Sequence, residues 1–187
     1  MSYLFRRYPP PNRRAVFYAR EAALYANADE IDTIHLLCGL LVEPSARANQ
    51  LFRLEERFPE ETARMRALKA FPEPRTIPLS YESKRVLAYA EAEADRLDDF
   101  WIDTDHVALG ILRECNCPAA ARLDAAGLKM EEARRQVSAS SDQRENYGAV
   151  PALWRLARPI TRTGYVAGMW YVALIVLLIK LLTGRGC

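Results

Sequence analysis

The chain of 187 residues is 50% hydrophobic, 27% charged and 10% aromatic. That is enough apolar material for one or two packed domains and too much for a globally disordered chain. Its 8 Gly and 11 Pro exclude collagen-like material, and 26 Lys and Arg against 24 Asp and Glu leave a net charge of +2, too even for a nucleic-acid binder acting by bulk charge. The balance hides an asymmetry, because residues 12–140 carry 18 basic and 22 acidic side chains whereas the two ends carry 8 and 2.

Residues 1–11 form an N-terminal arm in which Arg6, Arg7 and Tyr8 precede Pro9 to Pro11; such a stiff segment either lies over the body or is disordered. From Asn12 to Ser140 the signals are helical almost throughout. Ala15, Ala19, Ala22 and Ala26 make a small-residue stripe that admits a close neighbouring helix. Asp32 or Thr33 caps a helix carrying Leu36, Leu37, Leu40 and Leu41, which Glu43 and Pro44 end. Pro59 opens another through Lys69, and the Pro-rich stretch from Phe71 to Pro78 is a linker. Ser80 then caps a long helix to about Leu97, Asp103 or Thr104 caps the next, Pro118 begins a short one stopped by Gly127, and Lys129 to Val137 makes the last.

Residues 141–162 form a basic tether. Beyond it Tyr165 to Leu182 is apolar except for Lys180, and eighteen helical residues span about 27 Å, close to the hydrocarbon thickness of a bilayer. A single transmembrane helix is therefore expected over 163–183, with a short tail at 184–187. Arg144, Arg155, Arg158 and Arg162 before it outnumber Lys180 and Arg185 after it, so the positive-inside rule puts the body on the cytosolic side, in a bacterium the inner membrane. The four Cys include no C-x-x-C pair and fit reduced thiols, with Cys38 simply packed.

An internal repeat organises the body. A shift of 71 residues aligns Arg14 to Glu43 with Arg85 to Glu114 without a gap, and eleven of the 30 positions are identical. Two such units, about 12–70 and 80–138, predict a pseudo-two-fold domain in which each half covers the apolar face of the other.

The paired motifs IDTIH with LLCGLL, and IDTDH with VALGIL, each after an Ala-rich helix, resemble the double Clp repeat found at the N-terminus of Clp-type AAA+ unfoldases. The resemblance covers about Asn12 to Val137. It implies an all-α domain of two four-helix repeats that recruits protein clients or adaptors and performs no chemistry. Two departures stand out: Asp32 and Asp103 replace the family's usual Gly, and Ile34 and Asp105 replace its usual Glu.

The sequence has no G-x-x-x-x-G-K-[ST], G-x-S-x-G or H-E-x-x-H. Neither ATP hydrolysis nor peptide cleavage is expected of it, and no cofactor, metal or nucleic acid. His35 and His106 occupy matched positions; a metal site would need them to converge with Cys or carboxylates, and the plainer expectation is a ring bonded to backbone near each helix start. Asp99, Asp103, Thr104 and Asp105 have two readings. They cap a helix, or they form a half-site for a guanidinium or phosphoarginine, a recognition that the resemblance implies and that Ile34 could not perform in the first repeat. Phe100 and Trp101 either fill core or line a peptide groove. The expectation as a whole is a tail-anchored, non-enzymatic adaptor for a Clp-type unfoldase or protease; the alternative is a structural or signalling membrane protein with one fixed partner.

Overall fold

The computed structural model describes residues 6–67, 75–140 and 147–148. Nine helices occur among them: α1 (Pro10–Tyr25), α2 (Thr33–Val42), α3 (Arg47–Phe52), α4 (Leu54–Arg57), α5 (Pro59–Arg66), α6 (Tyr81–Arg96), α7 (Thr104–Arg113), α8 (Pro118–Ala125) and α9 (Met130–Ala139). All belong to one compact unit, Met1–Tyr147. Among the described residues the fold is all-α, with one isolated parallel bridge between Ile31 and Leu79. Among the described residues no helix is long and apolar enough to cross a membrane. The expected span over 163–183 and the tail lie outside the described residues, as does the tether apart from Tyr147 and Gly148.

The repeat extends past the aligned segment. The starts of α1, α2, α3 and α5 each lie 71 residues before those of α6, α7, α8 and α9. Residues identical between the halves make the same ties in each. Arg14 forks onto Glu43 with Nε to Oε2 at 2.9 Å and Nη2 to Oε1 at 2.8 Å, joining α1 to the end of α2. Arg85 forks onto Glu114 in the same way, with Nε to Oε2 at 2.8 Å. Burial alone would push the Glu43 carboxyl up, but bonds from Arg14 and Ser45 outweigh it and hold the group below the usual carboxylate range.

The two matched glycines set the closeness of the helix pairs. A Cβ on Gly39 would penetrate the Ala15 carbonyl oxygen and lie 3.0 Å from the Ala19 nitrogen; one on Gly110 would penetrate the Val86 carbonyl oxygen and lie 3.0 Å from the Ala90 nitrogen. The Ala stripe therefore works as expected for Ala15, Ala19 and Ala22, which are buried, whereas Ala26 is exposed. Leu36, Leu37, Leu40 and Leu41 of α2 and nearly all of α7 form the centre of the core.

Three expectations change. First, α1 starts at Pro10 rather than near Asn12, and of the arm's two readings the described stretch Arg7 to Pro9 follows the one in which it lies over the body. Ile102 N–H donates to the Arg7 carbonyl at 2.8 Å, and Tyr8 is 1% exposed. In the other half Ile31 N–H donates to Pro78 O at 2.8 Å and Ser80 N–H to Ile31 O at 3.0 Å. Each half thus clasps the loop between the first two helices of the other with the segment leading into its own first helix. Pro9, in the place of Ser80, has no N–H to offer, and Asn12 Nδ2 supplies the missing donor to Ile102 O at 2.6 Å.

Second, α3 and α4 fill a stretch that showed no periodic pattern. Arg53, at φ 49°, breaks them apart, and Arg57 Nε donates to the Phe52 carbonyl that the break exposes, at 2.8 Å. Asn49 Nδ2 returns to Leu40 O at 2.8 Å and so closes the end of α2. Third, α5 ends at Arg66, short of Lys69. Gly127, at φ 80°, ends α8 in the left-handed region as expected.

Candidate functional site

The starts of α2 and α7 are equivalent by the repeat, and both begin on the same local chemistry. Asp32 Oδ1 accepts from His35 N–H at 3.0 Å, while Asp32 N–H donates to His35 Nδ1 at 3.1 Å. At α7, Asp103 N–H donates to His106 Nδ1 at 3.0 Å, and Asp103 Oδ1 accepts from Thr104 N–H at 2.6 Å. Nδ1 accepts in both rings, so the neutral tautomer carries its proton on Nε2. In His106 that Nε2 faces Asp99 Oδ2 at 3.2 Å. Both histidines therefore serve the helix start through the ring, in the arrangement expected from sequence. Among the described residues no group of three or more His, Cys, Asp or Glu is placed to hold a metal ion.

Beyond this shared base the two positions differ. Asp105 is fully buried, and its Oδ1 accepts from His106 N–H at 2.9 Å. Its Oδ2 receives Arg47 Nε from α3 at 2.9 Å, and Arg47 itself is 8% exposed. Arg47 Nη2 also reaches Ser140 at the end of α9, with the carbonyl oxygen at 2.5 Å and Oγ at 2.7 Å. Thr104 is buried and its Oγ1 accepts from Ala48 N–H at 3.2 Å. Asp103 is 5% exposed, and Tyr147 O–H donates to its Oδ2 at 2.8 Å. Burial, and next the charge of Asp105, push the Asp103 carboxyl above the ordinary aspartate value.

Asp99, Phe100 and Trp101 adjoin this cluster. The Asp99 and Phe100 carbonyls accept from Arg7 at 3.0 and 2.8 Å, and the Arg7 guanidinium lies 5.7 Å from the centre of the Phe100 ring. Phe100 is buried. Trp101 is half-buried, edge-on to Phe100 at 4.9 Å and to Tyr147 at 6.2 Å. The structure thus brings all six predicted residues into one neighbourhood. Of these residues, Asp105 has its Oδ2 taken by a guanidinium of the same chain. Phe100 fills core rather than lining a groove.

Arg47 escaped the sequence reading, although a signal was present. Under the 71-residue shift Arg47 matches Pro118 and Asp105 matches Ile34. The two halves therefore supply a cation and an anion, one each, at positions whose counterparts in the repeat are both apolar.

The first repeat has an open groove of about 440 Å³ at its corresponding position. Ala22, Tyr25, Ala26, Ile34, Cys38 and Met65 give it apolar walls, with His35 between them and Glu60, Glu61, Arg64 and Arg122 around the rim. Burial pushes the Cys38 thiol up, so it is protonated packing material here rather than a nucleophile. In the second repeat Glu93 takes the place of Ala22. This buried carboxylate receives Arg134 through Nε at 3.1 Å and Nη2 at 2.6 Å, and Arg113 Nη1 at 3.2 Å. Its burial would raise its pKa, but Arg134, Arg96 and Arg113 together lower it. Neither Glu93 nor the Ala22 groove was singled out from sequence.

Comparison with known proteins agrees with this architecture. The family described as Clp repeat (R) N-terminal domain matches residues 10–126. An uncharacterized protein of Mycobacterium tuberculosis is 36% identical over 113 residues, covering 58% of this chain and 44% of that protein. The ATP-binding subunit ClpC of the ATP-dependent Clp protease from Staphylococcus saprophyticus is 31% identical over 179 residues, covering 84% of this chain and 21% of ClpC. The chain therefore spans less than half the length of these curated relatives. The N-terminal domain of ClpD from Arabidopsis thaliana shares the fold at a TM-score of 0.53 and 22% identity, over 75% of this chain and 99% of that one. The Hsp104 N-terminal domain from Candida albicans does so at 0.52 and 18%, over 73% and 93%.

Proposed function

Because the chain belongs to the Clp repeat N-terminal domain family, we propose that it is a non-enzymatic protein-binding module that recruits substrates or adaptors to a Clp-type unfoldase or protease. The observation that carries the reading is the first-repeat groove. Its volume of about 440 Å³ suits one or two side chains and not a folded partner. Its occupant is an extended client segment that seats one large apolar residue against Ile34, Cys38 and Met65, with its polar backbone toward the charged rim. The apolar run from Tyr165 to Leu182 supports a second element of the proposal, a single-pass anchor that holds the body at the cytosolic face of a membrane.

Titration of the full chain with unfolded peptides rich in Leu and Phe tests the groove. Ile34→Asp should weaken binding about tenfold or more, because it leaves an unpaired carboxylate against apolar side chains. Equal affinity in this variant and the wild type would overturn the groove as the client site. A single partner that co-purifies and ignores such peptides would favour the structural or signalling alternative. Removal of residues 163–187 should release the protein from carbonate-washed membranes.

A further inference from the structure

A buried arginine on one repeat, seated in a carboxylate pocket on the other, is unexplained by helix capping or by client binding in the first-repeat groove. We infer that Arg47 is an internal ligand: its guanidinium fills a cation pocket at the start of α7 and closes the second repeat to guanidinium groups from outside the chain.

Four observations carry this. Asp105 is directed, because its Oδ1 is held by His106 N–H at 2.9 Å and its Oδ2 is left facing α3, where Arg47 Nε meets it at 2.9 Å. The occupant is also held at its far end, with Nη2 on the Ser140 carbonyl and Oγ. The group required is a planar fork. One edge serves a carboxylate while another nitrogen serves a carbonyl, a division that a Lys ammonium on a flexible stem does not reproduce. Finally, the pair occurs at one of the two matched junctions between the halves and not at the other, where the repeat puts Pro118 and Ile34. Both charges lie away from water, so each depends on the other for its solvation.

The consequence is a one-sided domain. The second repeat retains the chemistry that receives an arginine and spends it on its own chain, tying α3 of the first repeat to α7 and to the end of α9. This stands apart from the groove reading, since it concerns a different pocket.

The test is chemical rescue in the full chain. The thermal midpoint of Arg47→Ala, of wild type, and of Arg47→Ala combined with Asp105→Asn is followed against methylguanidinium chloride, with methylammonium chloride at equal concentration as the control. Arg47→Ala should show a saturable rise with methylguanidinium beyond the control, wild type none, and the double variant binding at least about tenfold weaker. A folded Arg47→Ala that gains nothing, or a wild type that gains equally, overturns the inference. If Arg47→Ala does not fold, exchange of the Arg47 Nε proton in the wild type is decisive. Exchange much slower than at exposed Arg53 supports an occupied buried pocket, and equal rates overturn it.

Discussion

The two halves of this domain have one scaffold and opposite interiors at their second helix starts. In the first repeat Ile34 borders an open apolar groove; in the second, Asp105 and Glu93 are sealed by Arg47, Arg134 and Arg113. The residues kept identical between the halves are those that make the scaffold: the Arg14 to Glu43 and Arg85 to Glu114 forks, the Asp and His pairs at the helix starts, and the glycines under α1 and α6. The residues that differ decide what each half has left for a partner. A duplicated unit lets one copy provide rigidity while the other stays available.

The contrast is open to direct attack. Asp105→Ala should cost about 3 to 5 kcal/mol, the range for stranding a buried charge, because it leaves the Arg47 guanidinium buried without its carboxylate. Ile34→Ala, at the matching half-buried position, should cost far less, about 1 kcal/mol. Equilibrium urea unfolding of the two variants measures the difference, and equal costs would erase the proposed asymmetry.

The glycines should behave alike. Gly39→Ala and Gly110→Ala each drive a methyl group into the backbone of the facing helix, where no side chain can move aside. A loss of about 3 kcal/mol or more is expected in both, at the upper end for overpacking. A marked difference would show that one helix pair is looser than the other.

A smaller effect separates the two clasps. Asn12→Ala strands the buried Ile102 carbonyl and should cost about 1 to 3 kcal/mol. Ser83 is its counterpart, and the buried Ser83 hydroxyl has no hydrogen-bond partner among the described residues. Ser83→Ala should therefore be neutral or slightly stabilising in thermal denaturation.

The smallest effect is a pH dependence that Asp103 brings to the second half. The raised pKa of folded Asp103 means that, above the ordinary aspartate value, the native state holds a proton that the unfolded chain has lost. Stability from this group is full below the unfolded value and is lost as pH rises through the folded one. Glu93, lowered in the fold, acts in the opposite sense and withdraws stability as pH falls through its own folded value. Asp103→Asn should gain on wild type as pH rises from about 4, with a slope no steeper than about 1.4 kcal/mol per pH unit, the limit for one group. A pH-independent difference between the two unfolding curves would refute the assignment.

How far the sequence led follows from the range of each interaction. Capped helices with Leu or Ala faces were legible because cap, face and stop lie within one local stretch, and the 71-residue repeat confirmed each from its partner. The six-residue α3 and four-residue α4 were not, since neither is long enough to show a period and the break between them rests on Arg53 adopting a left-handed backbone. The neighbourhood of Asp99 to Asp105 was found, but its burial was missed because Arg47 stands 58 residues from Asp105. The clasp at Arg7 was hidden for the same reason, although Pro9 opposite Ser80 marked where a donor had to be replaced.

That clasp has a consequence for synthesis. Arg7 finds its acceptor on Phe100, 93 residues later in the chain. At ordinary rates of translation, the opening segment emerges roughly 5 to 20 s before the residues that receive it. Through that interval the Arg7 segment lacks its seat, whereas Pro78 to Ser80, which clasp Ile31, are made about 20 residues before Phe100. The segment around Arg7 therefore docks only after most of the domain has been made, although it was made before any of the helices.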